Sequence, residues 1–308
     1  VPGTTCATRE TEGWEAAAVD IARLQKGSGP TVRRMLLGSE LRKYREAKGI
    51  TRGEAGHHIR GSESKISRME LGRVGFKSRD VEDLLRLYGV ADRDVIRTMA
   101  QMARDTKKPG WWQAYGDSLP NWFQVYVGLE EAATRIRVYE AQFVPGVLQT
   151  EEYARAIITG GAATPDPTAE DRVAVRMRRQ RHIEDGGVKF WAIIDEAAVR
   201  RPVGGPDLGI MRRQLQRLIE FCDHSDVTLQ IIPFSAGVHA AEAGSFTILR
   251  YPDFGLSDIV YLEQLTGSIC LDKRQDIDAY TMAMERLSVI ADPPSETKGL
   301  LKQMIDDL

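Results

Sequence analysis

Glu63, Ser64, Lys65, Ser67, Arg68 and Arg73 fall within eleven residues, and each side chain can hydrogen-bond a base edge or a phosphate. Ser62 precedes them as an N-cap, its hydroxyl placed to accept a free amide of a first helical turn. Ile66 and Met69 recur on the other side at helical spacing. The pattern predicts a short helix with a narrow apolar stripe and a donor-rich outer face, which suits the major groove of DNA. An ordinary solvated surface helix shares this pattern, so the elements around it must decide.

Those elements are two further helices. Thr51 caps the first, predicted over residues 52–59, in which Ala55 and Ile59 stand one turn apart. An upstream helix, predicted over residues 37–48, packs through Leu37, Leu41 and Tyr44. A tight turn at Arg60-Gly61 would lead into the donor-rich helix, and helix, short turn, helix is the helix-turn-helix arrangement. The free amides at Thr51 and Arg52 favour a phosphate, with Arg42, Arg45 and Arg73 flanking the same surface.

Leu41-Arg42, Arg45-Glu46, Gly49-Ile50-Thr51, Ser64-Lys65-Ile66-Ser67-Arg68-Met69-Glu70 and Gly72-Arg73 together resemble the lambda-repressor/Cro type of bacterial DNA-binding domain. Taken from about residue 32 onward, the chain resembles the WhiJ-like transcriptional regulators of actinobacteria. Two features depart from an ideal pattern. Gly53 and Gly56 lie inside a helix, at roughly 1 kcal/mol each against Ala. Arg60 stands where the family has glycine, so the turn is expected to shift onto Gly61.

Charge separates the same region from the rest. Residues 33–79 hold thirteen Lys or Arg against five Asp or Glu, a balance of +8, while the remainder carries 29 basic and 39 acidic residues, a balance of −10. A basic module on an acidic body fits phosphate binding. At 308 residues, 42% hydrophobic and 28% charged, the chain reads as globular, with no run of membrane-spanning length. Residues 1–20 lack a signal-peptide pattern, so a cytoplasmic protein is expected. Cys6, Cys222 and Cys270 are too few and too scattered for a disulfide framework or a zinc site.

Along the chain, residues 1–30 read as a flexible N-terminal extension, 31–106 as an all-α helix-turn-helix domain, and 110–308 as a larger α+β regulatory or interaction domain. Ser78 and Asp92 are expected to cap the last two helices of the first domain, the second with an apolar stripe at Val95, Met99 and Met102. That stripe is core or a dimer seam. Lys107-Lys108-Pro109-Gly110 marks a linker, after which Trp111, Trp112, Tyr115, Trp122, Phe123 and Tyr126 arrive in quick succession. They read as core between helices, with stacking on bases or a ligand wall as the alternatives.

Val144-Pro145-Gly146-Val147-Leu148-Gln149-Thr150, followed by Tyr153-Ala154, closely resembles a signature of the WhiJ-like C-terminal domain, with Thr150 capping the next helix. Pro165 and Pro167 break the chain before a helix over 170–184 whose arginines, 172, 176, 178, 179 and 181, read as a solvated face with some of them bonded to the acidic body; contact with DNA or anionic lipid is the alternative. Short β-branched runs at 189–194, 228–234, 245–251, 259–264 and 268–271 predict a mixed, mainly antiparallel sheet, with helices over 207–224 and 276–290.

No catalytic spacing stands out. The five histidines have no metal-ligand spacing, and P-loop, nucleophile-elbow and dinucleotide fingerprints are missing from the sequence. Asp195-Glu196, Glu242 and Glu263 lie near strand ends but suit helix caps or arginine partners. The expected function is therefore a non-enzymatic, homodimeric DNA-binding transcriptional regulator, with no cofactor, metal or membrane. Its C-terminal domain would sense a partner or ligand through Trp111, Trp112, His239, Arg250 and Glu263. The resemblance implies a small acidic protein encoded nearby; a small-molecule effector is the other possibility. An antitoxin-like binding protein and a DNA-tethered effector enzyme are the alternative functions.

Overall fold

The computed structural model describes residues 29–160, 166–205, 208–251 and 256–308. The expected extension at residues 1–30, Cys6 included, lies outside them except for Gly29 and Pro30, and so does the break at Pro165. Two units divide between Trp111 and Trp112.

The first unit is all helical: α1 (Pro30–Ala47), α2 (Arg52–His58), α3 (Glu63–Glu70), α4 (Ser78–Leu87) and α5 (Arg93–Asp105). α1 begins seven residues before its expected start, with Pro30 at its first turn, where proline's missing amide costs nothing. Leu37, Leu41, Ile66, Met69, Leu84 and Leu85 form the buried centre. Met99 and Met102 are buried in the same unit, so the stripe on α5 is core and leaves no methionine seam for a second subunit. Ser78 is the first helical residue of α4, not its cap, whereas Asp92 caps α5 through the amides of Asp94 and Val95.

Of the irregularities around α2, the glycine at 56 has a steric cause. A Cβ on Gly56 would stand 2.8 Å from the Ser62 carbonyl carbon, so glycine lets the end of α2 touch the start of α3. Gly53 has no such neighbour. The turn does not move onto Gly61: Arg60 itself adopts φ 53°, the only non-glycine residue among those described with positive φ.

A 3₁₀ turn at Trp111–Tyr115 begins at the division, and in the second unit α6 (Asn121–Glu130) leads into β1 (Arg135–Glu140). Then come α7 (Glu151–Gly160), α8 (Ala169–Glu184), β2 (Lys189–Asp195), α9 (Glu196–Arg200), α10 (Gly209–Cys222) and β3 (Val227–Ile232). The hairpins β4 (Phe246–Arg250), β5 (Ile259–Gln264) and β6 (Gly267–Leu271) precede α11 (Arg274–Ile290) and α12 (Pro294–Asp306). The sheet order is β3-β2-β1-β4-β5-β6. The β1–β2 and β2–β3 pairs are parallel and the other three antiparallel, which is the expected mixed, mainly antiparallel sheet.

Tyr139, Ile193, Phe246, Ile248 and Val260 turn to one face and pack with Met284 and Leu287 of α11. On the other face Tyr126 of α6 stacks on Tyr261, centroids 4.2 Å apart. The Arg179 guanidinium lies over Phe123 and Tyr126 and donates to both Glu130 oxygens at 2.7 Å. Arg179 is buried and is one of the arginines bonded to an acidic residue of this unit, as expected. Its charge is stabilised only while Glu130 is present. Glu130→Ala is expected to lower the unfolding free energy of this unit by about 3–5 kcal/mol, measured in urea. The paired change of Glu130→Leu with Arg179→Met should recover most of that loss. A single-variant loss below about 1 kcal/mol would contradict the assignment.

Candidate nucleic-acid interface

α3 is built by its caps. The Ser62 hydroxyl accepts from the Lys65 amide at 3.1 Å, and the preceding Arg60-Gly61 turn fixes where the helix starts. Ile66 and Met69 are buried, as the stripe requires, and Glu70 joins them at 5% exposure. A buried carboxylate needs partners. Glu70 Oε2 accepts from Arg45 Nη2 at 3.1 Å and from Arg52 Nε at 2.9 Å, while Oε1 accepts from Arg45 Nε. One carboxylate thus ties α1 and α2 to the last residue of α3.

This network changes the set of residues able to meet DNA. Arg45 is buried, bonded to Glu70 and to the Ile50 carbonyl at 2.9 Å, so it is structural and not a phosphate anchor. Arg52 keeps about a third of its side chain exposed but is committed to Glu70. Lys65 turns to Asp80 of α4 at 2.7 Å and does not belong to the free outer face. Thr51 forms a full capping box with Glu54: its hydroxyl accepts from the Glu54 amide, and its own amide donates to Glu54 Oε2 at 2.8 Å. Bonds from the Thr51 amide and hydroxyl hold the Glu54 carboxyl below its ordinary range. A negative side chain therefore occupies the helix end where a phosphate was expected.

Glu63, Ser64 and Arg68 remain exposed and Ser67 half-exposed, on the side of α3 opposite Ile66 and Met69. Among the described residues, Arg68 Nε reaches only the Ser64 carbonyl, at 3.3 Å. Arg73 is exposed just beyond the helix, and Arg42 is exposed with Glu46 at 2.8 Å as its partner. Ser62 is exposed, but its hydroxyl is occupied as a cap. Sequence reading missed Glu70 and Asp80 as partners because their carboxylates are distant in sequence from the cations they hold. The Thr51-x-x-Glu54 spacing was a legible capping-box signal.

The residues expected to form a partner site in the second unit do not converge. Trp112 is 2% exposed and belongs to the core. Trp111 lies on the other side of the division between the units. Arg250 ends β4 opposite Arg135 and pairs with Asp258 at 2.9 Å, whereas Glu263 lies beyond Tyr261, which is opposite Thr247. The two sit at opposite ends of the strands. His239 approaches the Tyr139 hydroxyl at 3.3 Å and Asp195 at 3.7 Å, on the face packed by α11. Glu196 accepts from the Phe234 amide at 2.7 Å and pairs with Arg200, so it serves as a fold contact.

The signature at residues 144–154 is held by three buried glutamines. Gln149 donates to the Val144 carbonyl, Gln180 to the Val147 and Gln149 carbonyls, and Gln214 to Leu148 while accepting from the Thr150 amide. Thr150 caps α7 as expected, accepting from the Tyr153 amide. Beside this turn stand Arg176 and Glu140. Burial pushes the Glu140 carboxyl up to about 7 and draws the Arg176 guanidinium down to about 10.

Among the described residues no helix is long and apolar enough to cross a membrane, and no group of three His, Cys, Asp or Glu could hold a metal. Comparison with protein families matches residues 36–99 to a helix-turn-helix domain and residues 123–303 to a family described as "Domain of unknown function (DUF5753)". Comparisons with curated proteins and with solved structures return no match.

Glu140 makes this unit's stability depend on pH. Its folded value of about 7 lies above the ordinary 4.5, so between these values the folded protein holds a proton that the unfolded chain releases. Its contribution is fully present below the unfolded value and is lost as pH rises through the folded one. Glu140→Gln should match the native chain in acid and exceed its stability at pH 8 by about 1–3 kcal/mol. Denaturant titrations at the two pH values check this; a constant difference would contradict it.

Proposed function

The chain belongs to the DUF5753 family, and on that premise we propose that it is a sequence-specific transcriptional regulator that binds DNA through residues 36–99. The observation that carries this reading is the division of labour on α3. Ile66, Met69, Glu70 and Lys65 are engaged with the domain, while Glu63, Ser64, Ser67 and Arg68 present an outer face within residues 33–79, a stretch of charge +8. Arg68 is the guanine reader, since guanidinium pairs with the acceptors of guanine in the major groove. Arg73 and Arg42 supply phosphate contacts.

The finer reading is a WhiJ-like regulator that works as a homodimer and acts as a repressor. One short recognition helix spans few base pairs, and two copies a helical turn apart give the usual specific affinity. The second unit would respond to a small acidic protein or a small molecule by binding, not by catalysis. Such a partner shifts DNA affinity only by its different affinity for free and bound protein, and reciprocally.

Selection from random duplexes with the full chain tests the central part. We expect an inverted repeat to be enriched. Arg68→Ala should weaken that site by about 1–3 kcal/mol and relax preference at one base pair per half-site. Arg73→Ala should weaken all sequences alike and reduce the salt slope by about 1 for each copy bound. Absence of any enriched sequence, or an Arg68→Ala protein with unchanged preference, would overturn the assignment.

A further inference from the structure

The two edges of the six-stranded sheet are finished differently. At β3, α12 and the turn before it cover the outward carbonyls. Thr297 Oγ1 donates to the Leu229 carbonyl and the Asp292 amide to the Ile231 carbonyl, both at 2.9 Å. At the opposite edge β6 has β5 on one side and no strand on the other. Leu265 and Thr266 form a two-residue turn between them, so Gln264 and Gly267 close the ladder as a hydrogen-bonded pair. Alternation then turns the amide and carbonyl of Ser268 away from β5. No turn, helix or loop among the described residues bonds to either group.

The sequence of β6 does not guard this edge. Sheets block edge pairing with a charge, a proline or a covering element. Gly267-Ser268-Ile269-Cys270-Leu271 contains neither a charge nor a proline. It is also the one described strand without a buried residue, whereas each of the other five has at least three. Ile269 stands opposite Leu262 and shares a face with Leu271, and both leucines pack against the cluster beneath α11. That helix packs on β3, β4 and β5, and its cover ends before Ile269, which is 49% exposed. Leu265, at the tip of the same hairpin, is 99% exposed. α6 borders β6 from the face on which Tyr126 meets Tyr261, opposite the face of Ile269.

We propose that β6 is the seam between two copies of this chain, each pairing antiparallel with the other about a two-fold axis at Ile269. Two copies of a five-residue strand overlap along their whole length only when their middle residues face each other. Ile269 is that residue, and it falls at a pair without hydrogen bonds, where antiparallel backbones come closest. Each exposed isoleucine is then covered by its counterpart. A strand without charge sets no like charges against each other across such an axis. The occupant is a second copy and not a foreign strand because of what the first unit requires. An inverted repeat is read by two helix-turn-helix modules related by a two-fold axis. The apolar stripe of α5 is buried and does not provide one, whereas β6 does. The inference rests on, and deepens, the reading of the regulator as a homodimer. It names the surface that joins the copies.

Sedimentation and cysteine cross-linking of the full chain, with and without DNA, test it. The chain should sediment as a dimer. Ile269→Cys, in a chain with Cys6, Cys222 and Cys270 changed to Ser, should oxidise to a linked dimer. The facing Cα atoms, about 4.5 Å apart, fall within disulfide reach. Leu265→Cys in the same background should stay unlinked, since eight residue steps, roughly 27 Å, separate the two copies of that position. Ile269→Lys places like charges opposite each other and should weaken the dimer by about tenfold or more. Ser268→Pro removes an amide that β5 does not use and should weaken it similarly. A dimer that links at 265 and not at 269, or that both Ile269→Lys and Ser268→Pro leave intact, would overturn the seam and leave the homodimer reading standing. A chain that is monomeric both free and on DNA would overturn both. Failure of DNA selection while the Ile269→Cys link forms would remove the regulator reading and support the seam.

Discussion

The first unit depends on one buried carboxylate. Glu70 is the last residue of α3, yet its partners come from α1 and α2, so the orientation of the outer face is set from beneath. The pair with Arg45 is enclosed on both sides, at 7% and 5% exposure. Loss of either partner would leave a charge in the domain interior, which costs far more than loss of a surface pair. The same constraint reduces the apparent cation supply. Of the charges that make residues 33–79 basic, Arg45 is consumed internally, and Arg52 and Lys65 are held by Glu70 and Asp80. Binding then rests on fewer, better-placed groups.

The second unit applies the same physics to a loop. Residues 144–150 carry backbone groups that no strand or helix satisfies, and Gln149, Gln180 and Gln214 complete them from three directions. Gln149 then passes the constraint to Arg176. The signature residues thus hold a loop and, through Gln149, one arginine of α8.

Much of this was legible in the sequence where local rules operate. Ser62, Asp92 and Thr150 act as caps, and β5 runs over the residues its β-branched pattern indicated. β1 was missed although Arg135-Ile136-Arg137-Val138-Tyr139-Glu140 alternates, because it follows directly on an apolar helical run. α12 went unread although Thr297, Leu301 and Met304 recur at helical spacing and are buried. Roles set by long-range pairing were the least legible. Arg45, Arg68, Arg176 and Arg179 are the same residue type in similar helical contexts. Only the position of Glu70 or Glu130 separates the two buried ones from the two that have no carboxylate partner among the described residues.

The most direct measurement of the central claim, that the exposed face of α3 lies in the major groove, is dimethyl sulfate protection on the selected duplex. The reagent methylates guanine N7 in the major groove and adenine N3 in the minor groove. Bound protein should protect guanine N7 within each half-site, and Arg68→Ala should restore methylation at one of those guanines. Protection confined to adenine N3, with guanine N7 fully reactive across the site, would contradict the account.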